Sequence, residues 1–392
     1  MKLKDVCTVF IDGDWIESKD QSEEGIRLIQ TGNIGEGIYL EKEIRAKYIS
    51  EDTFARLKCT EIFPGDILVS RLPEPIGRAC IIPEKSERMI TAVDCTICRP
   101  NEDIVCKEYL CYFMRSKVYY TRLLSKVTGT TRKRISRKNL GNIELVVPHR
   151  EEQRMVVKQL DSLMKLIDFQ NKKLQELDRL IKARFVEMFG DVKINPHNYK
   201  KFSIKSVLKS CEAGWSGNGT QRIRKDDEIA VLKVSAVTKG YFIPEECKVL
   251  DDQENIKKYV IPEKGDLLFS RANTREMVGA TAIVKEDYPS LILPDKLWKI
   301  KFKDNVNVIY MKYILSSKSV RNQFSAVSTG TSGSMYNVSM DKFKGIEIPI
   351  PPIELQNQFA DFVRAVDKSK VIDTNIIPRG GFYNGNEFCI SK

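Results

Sequence analysis

The sequence predicts an α+β fold in which a mixed α and β domain occurs twice, each copy followed by a helix, the first helix long and the second cut short. Three observations carry this: a long internal repeat, a segment of helical period free of Gly and Pro, and short apolar strands punctuated by turn residues.

The repeat is the strongest of the three. Phe63-Pro64-Gly65-Asp66-Ile67-Leu68-Val69-Ser70-Arg71 returns as Glu263-Lys264-Gly265-Asp266-Leu267-Leu268-Phe269-Ser270-Arg271, with Gly, Asp, Ser and Arg retained. Thr128-Gly129-Thr130 returns as Thr329-Gly330-Thr331, and Ile143-Glu144-Leu145 before Pro148 returns as Ile346-Glu347-Ile348 before Pro349 and Pro351. Glu151 and Gln153 then match Glu354 and Gln356. The period is too long for a solenoid and fits two whole domains. Within a copy, 67–70 and 143–147 read as short buried strands, and 107–124 as a helix. The tyrosines of that helix, Tyr109, Tyr112, Tyr119 and Tyr120, could stack on bases, but aromatics at helical spacing more often pack a core.

Residues 151–189 lack Gly and Pro, and Val156, Leu160, Leu163, Ile167, Leu174, Leu177, Ile181 and Met188 recur at spacings of three and four or seven, a heptad seam interrupted at Gln170 and Arg184. A seam of this kind needs a partner helix, and the second copy supplies one. Phe359, Val363 and Val366 take the places of Val156, Leu160 and Leu163, but Lys370 stands where Ile167 stood and the pattern stops. The expected organisation is a first domain over 1–148, a helix over 149–190, a second domain over 191–351, a short helix over 352–370 and an irregular tail over 371–392. Without full pairing, Leu174, Leu177 and Ile181 are expected to face solvent.

Composition bounds function. The 392 residues carry 64 Lys and Arg against 53 Asp and Glu, a formal charge of +11, which favours a polyanionic partner, nucleic acid before an acidic membrane. No apolar run suits a membrane span and the N-terminus has no signal-peptide pattern, so a cytosolic chain with reduced cysteines is expected.

A duplicated catalyst would be expected to duplicate its chemistry, and this chain does not. The only histidines, His149 and His197, are unmatched, Pro352 standing in for the first. Cys95 and Cys98, with Cys106 and Cys111, have zinc-like spacing, but aligning Asp94-Cys95-Thr96-Ile97-Cys98 with Asp295-Lys296-Leu297-Trp298-Lys299 leaves the second copy without thiols. Glu246-Cys247-Lys248, with Asp227 upstream, resembles a nuclease motif only by composition, and neither Gly32 to Gly37 nor Asn195-Pro196 fits methyl transfer. No catalytic, metal or cofactor site is expected in this chain.

Binding chemistry remains. Residues 126–138 hold Lys126, Arg132, Lys133, Arg134, Arg137 and Lys138 without an acid, around the Thr128-Gly129-Thr130 turn. Such a stretch is often merely a solvated face, but its position at a repeated turn favours contact with phosphates and base edges. The second turn presents the neutral Thr329, Thr331, Ser332, Tyr336 and Asn337 instead. With the strand-end residues Arg71, Arg271 and Asn273, these are the candidate DNA contacts.

Two divergent copies with these strand, turn and exit motifs, and a helix closing on Phe185-Val186-Glu187-Met188-Phe189-Gly190-Asp191, resemble the specificity subunits of type I restriction-modification systems over residues 1 to about 370. The resemblance implies two target recognition domains, each reading half of a split double-stranded DNA site, with helical spacers that set their distance and dock methyltransferase subunits. Methylation, translocation and cleavage, with S-adenosylmethionine, ATP and Mg, would belong to methyltransferase and restriction/translocase partners. The short second helix departs from the family. Alternatives from other classes are a non-catalytic RNA-binding protein and a standalone DNA-binding scaffold.

Overall fold

The computed structural model describes residues 1–72, 75–129, 133–225, 228–329 and 336–374, the side chains of 371–374 excepted. Met1–Gln170 and Asn171–Asp373 fall in separate compact units, the division lying inside one long helix.

In the first unit a four-stranded antiparallel sheet runs Cys7–Asp12, Cys95–Pro100, Ile67–Ser70, Ala79–Ile81. One face packs on the helices through Leu3, Ile67, Val69, Cys98, Leu110, Tyr119 and Leu123. The other face packs on a second sheet of order Tyr48–Ile49, Ile26–Ile29, Met89–Thr91, Glu61–Ile62 through Leu68, Cys80, Cys95 and Ile97. With both faces covered the strands read as unbroken apolar runs. The second unit repeats the plan. Its first sheet runs Leu208–Ala213, Leu297–Phe302, Leu267–Ser270, Thr281–Ile283, and its second includes Cys247–Leu250, Ala230–Leu232 and Leu291–Ile292.

The structure gives each retained residue of the repeat a local reason. Gly65 and Gly265 have φ of +92° and +89°, a region L side chains resist. The aspartate after each folds back, Asp66 Oδ2 accepting from Phe63 N at 2.9 Å and Asp266 Oδ2 from Glu263 N at 2.7 Å. Ser70 and Ser270, fully buried, donate to the carbonyls of Leu72 and Ala272 at 2.6 and 3.3 Å. Gln153 and Gln356, also fully buried, bind the turn ahead of the domain's own helix. Gln153 Oε1 accepts from Cys106 N at 2.8 Å while its Nε2 donates to Ile104 O and Pro148 O, both at 2.9 Å. Gln356 Oε1 accepts from Asn307 N at 2.8 Å and its Nε2 donates to Pro351 O at 2.7 Å.

Several expectations change. The helix expected over 107–124 is two, Lys107–Phe113 and Lys117–Leu124, because Ser116 stops to cap the second by accepting from Tyr119 N at 3.1 Å. Tyr119 is fully buried and Tyr112 bonds Asp161 at 2.6 Å, so these rings pack rather than stack on bases. The repeat alignment through Cys95 slips by one: Ser70 faces Cys95 whereas Ser270 faces Leu297, so Cys95 and Cys98 correspond to Leu297 and Ile300. Cys95 and Cys98, three apart on one strand, lie on opposite faces of the sheet and cannot share a metal ion. Segment 143–147 pairs only through an isolated bridge of Glu144 with Lys2, whereas Glu347–Pro349 is a true strand against Lys201–Ser203.

The long helix is Arg150–Phe189, 40 residues or about 60 Å. Its seam differs from the heptad read from sequence. Val157, Leu160, Met164 and Ile167 are part-buried, whereas Val156 and Leu163 are exposed at 36% and 53%. In the second unit Ile181 is fully buried and Leu177 packs beside it, against the expectation of exposure. The cover is the exit helix, Ile353–Thr374, longer than the expected 352–370. Phe359 meets Phe185 and Phe189 with ring centroids 5.4 and 5.6 Å apart, and Lys370 Nζ lies 2.7 Å from Asp178 Oδ1, so the two helices run antiparallel. Lys370 ends the apolar seam by pairing with Asp178 and Asp367.

Candidate nucleic-acid interface

At the end of the strand Ile67–Ser70 the chain turns outward at Arg71. Arg71 N donates to Asp94 O at 2.9 Å, and Arg71 O accepts from Ile135 N at 3.4 Å, which ties the residues after the basic turn to the sheet. The side chain is 4% exposed; Nη2 donates to Val93 O at 2.5 Å and lies 3.2 Å from Asp12 Oδ2. Burial lowers the Arg71 pKa and the Asp12 charge opposes it. The basic turn itself is closed by main-chain bonds, Thr128 N to Arg134 O at 3.0 Å and Arg134 N to Thr128 O at 2.9 Å. Arg134 is 3.4 Å from Asp94 Oδ1, and Asn139 Nδ2 donates to Lys126 O at 3.0 Å, fixing the chain that enters the turn. Thr128, Lys133, Arg134, Arg137 and Lys138 are exposed and Lys126 is part-buried.

The second unit builds the same frame. Arg271 N donates to Lys296 O at 3.0 Å, Arg271 O accepts from Val338 N at 2.9 Å, and Thr329 and Asn337 exchange main-chain bonds of 2.8 and 2.9 Å. Ala272 and Asn273 pair with Asn337 and Tyr336 in a short antiparallel ladder. Where the first unit has Asp12, the register places Ala213, and Arg271 turns to Asp295 instead, Nη2 to Oδ2 at 3.3 Å. Burial disfavours the Asp295 charge, but Ser216 and Arg271 outweigh it and hold its pKa low. The turn between the closing pairs spans 129–133 in the first unit and 330–336 in the second, two residues longer.

Within each unit the structure therefore gathers the candidate residues it describes: Arg71, Lys126, Thr128, Lys133, Arg134, Arg137 and Lys138 in one, Arg271, Asn273, Thr329, Tyr336 and Asn337 in the other. Thr130, Arg132, Thr331 and Ser332 lie outside the described residues. Arg71 and Arg271 sit at the base of the turns as anchors. Sequence reasoning missed their partners, Asp12, Asp94 and Asp295, because only strand pairing brings them there. His149 and His197 are both exposed.

Comparison with known proteins identifies this twice-built frame. The family model of the type I restriction modification DNA specificity domain matches residues 1–179 and again 196–377. The chain belongs to that family. It is 24% identical over 292 residues to the Escherichia coli K12 type I restriction enzyme EcoKI specificity subunit, covering 70% of this chain and 60% of the relative. With a putative type I restriction enzyme MjaX specificity subunit of Methanocaldococcus jannaschii it shares 23% identity over 392 residues, 93% of this chain and 86% of the relative. The chain thus spans 60% of the EcoKI subunit, less than two thirds, and matches 30% of the Escherichia coli EcoEI subunit. In fold it resembles a chain from a study of complex assembly and conformational transition of the type I restriction-modification system, with a TM-score of 0.51 at 16% identity, 96% of this chain and 94% of that one being covered. It also resembles the S subunit from M. genitalium, with a TM-score of 0.50 at 10% identity over 96% and 91%. Among the described residues no helix is long and apolar enough to cross a membrane, and no three His, Cys, Asp or Glu side chains form a metal-holding group.

Proposed function

We propose that this chain is the DNA-reading subunit of a type I restriction-modification enzyme, acting in the cytosol, non-catalytic itself, with each unit reading one half of a bipartite double-stranded site. The observation that carries the reading is the same hydrogen-bonded frame built twice with unlike side chains on it: basic at 126–138, neutral at 329–337. Cations suit phosphates and guanine edges, whereas Asn, Thr and Tyr suit neutral base edges. The proposed contacts are Lys126, Thr128, Thr130, Arg132, Lys133, Arg134, Arg137 and Lys138 with Asn273, Thr329, Thr331, Ser332, Tyr336 and Asn337, held in place by Arg71 and Arg271. Functional borders are proposed at 148, 190 and 351. Methyltransferase subunits docked on the helices, and restriction/translocase subunits, would supply methylation, translocation and cleavage with S-adenosylmethionine, ATP and Mg.

The test is exchange of residues 126–138 for the turn of another family member, followed by mapping of modified sites with the methyltransferase present. One half-site is expected to change and the other to stay. If both halves changed, or neither did, the assignment of one turn to one half-site would be wrong.

A further inference from the structure

The second unit carries a charged cleft that the DNA reading does not use. It lies where the sheet end formed by Lys209, Lys264 to Asp266 and Lys301 to Asp304 meets the exit helix at Ile353, Asn357 and Arg364, and has a volume of about 480 Å³. Its lining holds five cations, Lys209, Lys264, Lys301, Lys303 and Arg364, against two carboxylates, Asp266 and Asp304. Lys301 is matched by Glu263 at 2.8 Å and Arg364 by Asp361 at 2.7 Å. Among the described residues no carboxylate pairs with Lys209, Lys264 or Lys303, all three exposed, and the Lys303 Nζ donates only to the Ser206 carbonyl at 2.7 Å.

The charge is not inherited from the shared scaffold. Strand register and the buried glutamines place Thr8, Pro64, Asn101 and Asp161 of the first unit at the positions of Lys209, Lys264, Lys303 and Arg364. A first-unit cleft beside Cys106 takes in none of these sheet-end positions, and its cations Arg154, Lys158 and Lys165 stand beside Glu108 and Asp161.

We infer that this cleft docks an acidic segment of a partner polypeptide. The cleft and the Arg271 turn sit at opposite ends of the strand Leu267–Ser270, separated from Asp266 to Arg271 by about 17 Å. A cleft of this volume admits side chains but not a double helix. The floor carboxylate, Asp266, is 1% exposed and already matched, its Oδ2 3.2 Å from Lys299 Nζ and its Oδ1 3.6 Å from Lys301 Nζ, so the cations left without a carboxylate are the rim lysines. Spaced carboxylates along one peptide can reach these separate lysines.

The inference rests on the reading that this chain works within a multisubunit assembly, and its test is separable from the DNA reading. The full chain is titrated with fluorescein-labelled hexaglutamate and with hexaglutamine, and anisotropy is read for the wild type and for the variant Lys209→Thr, Lys264→Gln, Lys303→Asn. Hexaglutamate is expected to bind, hexaglutamine not, and the triple variant to bind about tenfold more weakly. Asp304→Asn, which removes a rim carboxylate, is expected to tighten binding about twofold. Equal binding of hexaglutamate by wild type and triple variant, or no binding at all, would overturn the proposal. So would a loss of short-duplex affinity in the triple variant as large as its loss of peptide, since the cleft would then be a nucleic-acid surface. Unchanged duplex binding with weakened peptide binding supports it whichever turn residues touch DNA.

Discussion

Replacing Gln153 by Ala removes three hydrogen bonds, to Cys106 N, Ile104 O and Pro148 O, from a side chain with no exposure. Each such bond contributes about 1 kcal/mol net, and leaving its partner buried and unmatched costs about 1–3 kcal/mol. Some of the freed groups will find water, so the expected loss is about 3–4 kcal/mol, confined to the first unit. For a domain of this size that lowers the melting temperature by roughly 6–12 °C. Gln356→Ala removes only two such bonds, to Asn307 N and Pro351 O, and is expected to cost the second unit about 1 kcal/mol less. Hydrogen exchange of the full chain, followed separately over 104–113 and 307–316, reports each unit on its own. Equal protection in wild type and Gln153→Ala over 104–113 would refute the latch, as would a larger effect from the residue with fewer bonds.

Arg71→Ala leaves Asp12 without its cation and is expected to cost roughly 2–4 kcal/mol locally, seen as faster tryptic cleavage at Lys133 and Arg134; unchanged cleavage would show that the anchor is dispensable. Changing Lys133, Arg137 and Lys138 to Gln should reduce the slope of log affinity against log salt by about 2–3 for duplex DNA, with an unaltered slope removing these residues from the interface. Burial pushes the Cys95 thiol up to about 12 and Cys98 well above its usual value, so both should resist alkylation at pH 8 in the folded chain and react only on unfolding. Lys299 and Lys301 hold the Glu263 carboxyl down at about 2. The stability it contributes is therefore present above its unfolded value near 4.5 and lost as pH falls towards 2, a small effect at an exposed group. Glu263→Gln should flatten that part of the acid unfolding curve of the second unit.

The parts of this fold legible in the sequence are those set by local geometry. Gly65-Asp66 and Gly265-Asp266 announced themselves because a positive φ and a back-folded carboxylate admit few residues. The long helix was legible from its freedom from Gly and Pro, but the buried side was not. A heptad template chose Val156 and Leu163, whereas the part-buried side takes Val157 and Met164 in their place; the spacing of three and four was legible, but which neighbouring position turns inward is set by the domain surface the helix meets. The length of the exit helix was misjudged at Lys370 because a cation in an apolar column looks like a stop until Asp178, nearly two hundred residues away in sequence, answers it. The site divided the same way. Both turns could be located, but not the burial of Arg71 beneath its turn, because Asp12 and Val93 reach it only through strand pairing.

In both units the turn is closed by amide and carbonyl groups, Thr128 with Arg134 and Thr329 with Asn337, and anchored by residues beneath it. Main-chain closure is indifferent to the side chains it carries, and it already accommodates two lengths. If the turns read DNA as proposed, a population of such chains can change what it reads by substitution, insertion or exchange at the turn alone, with little change in folding stability. Novelty in what is read and constancy in what is folded fall on different atoms.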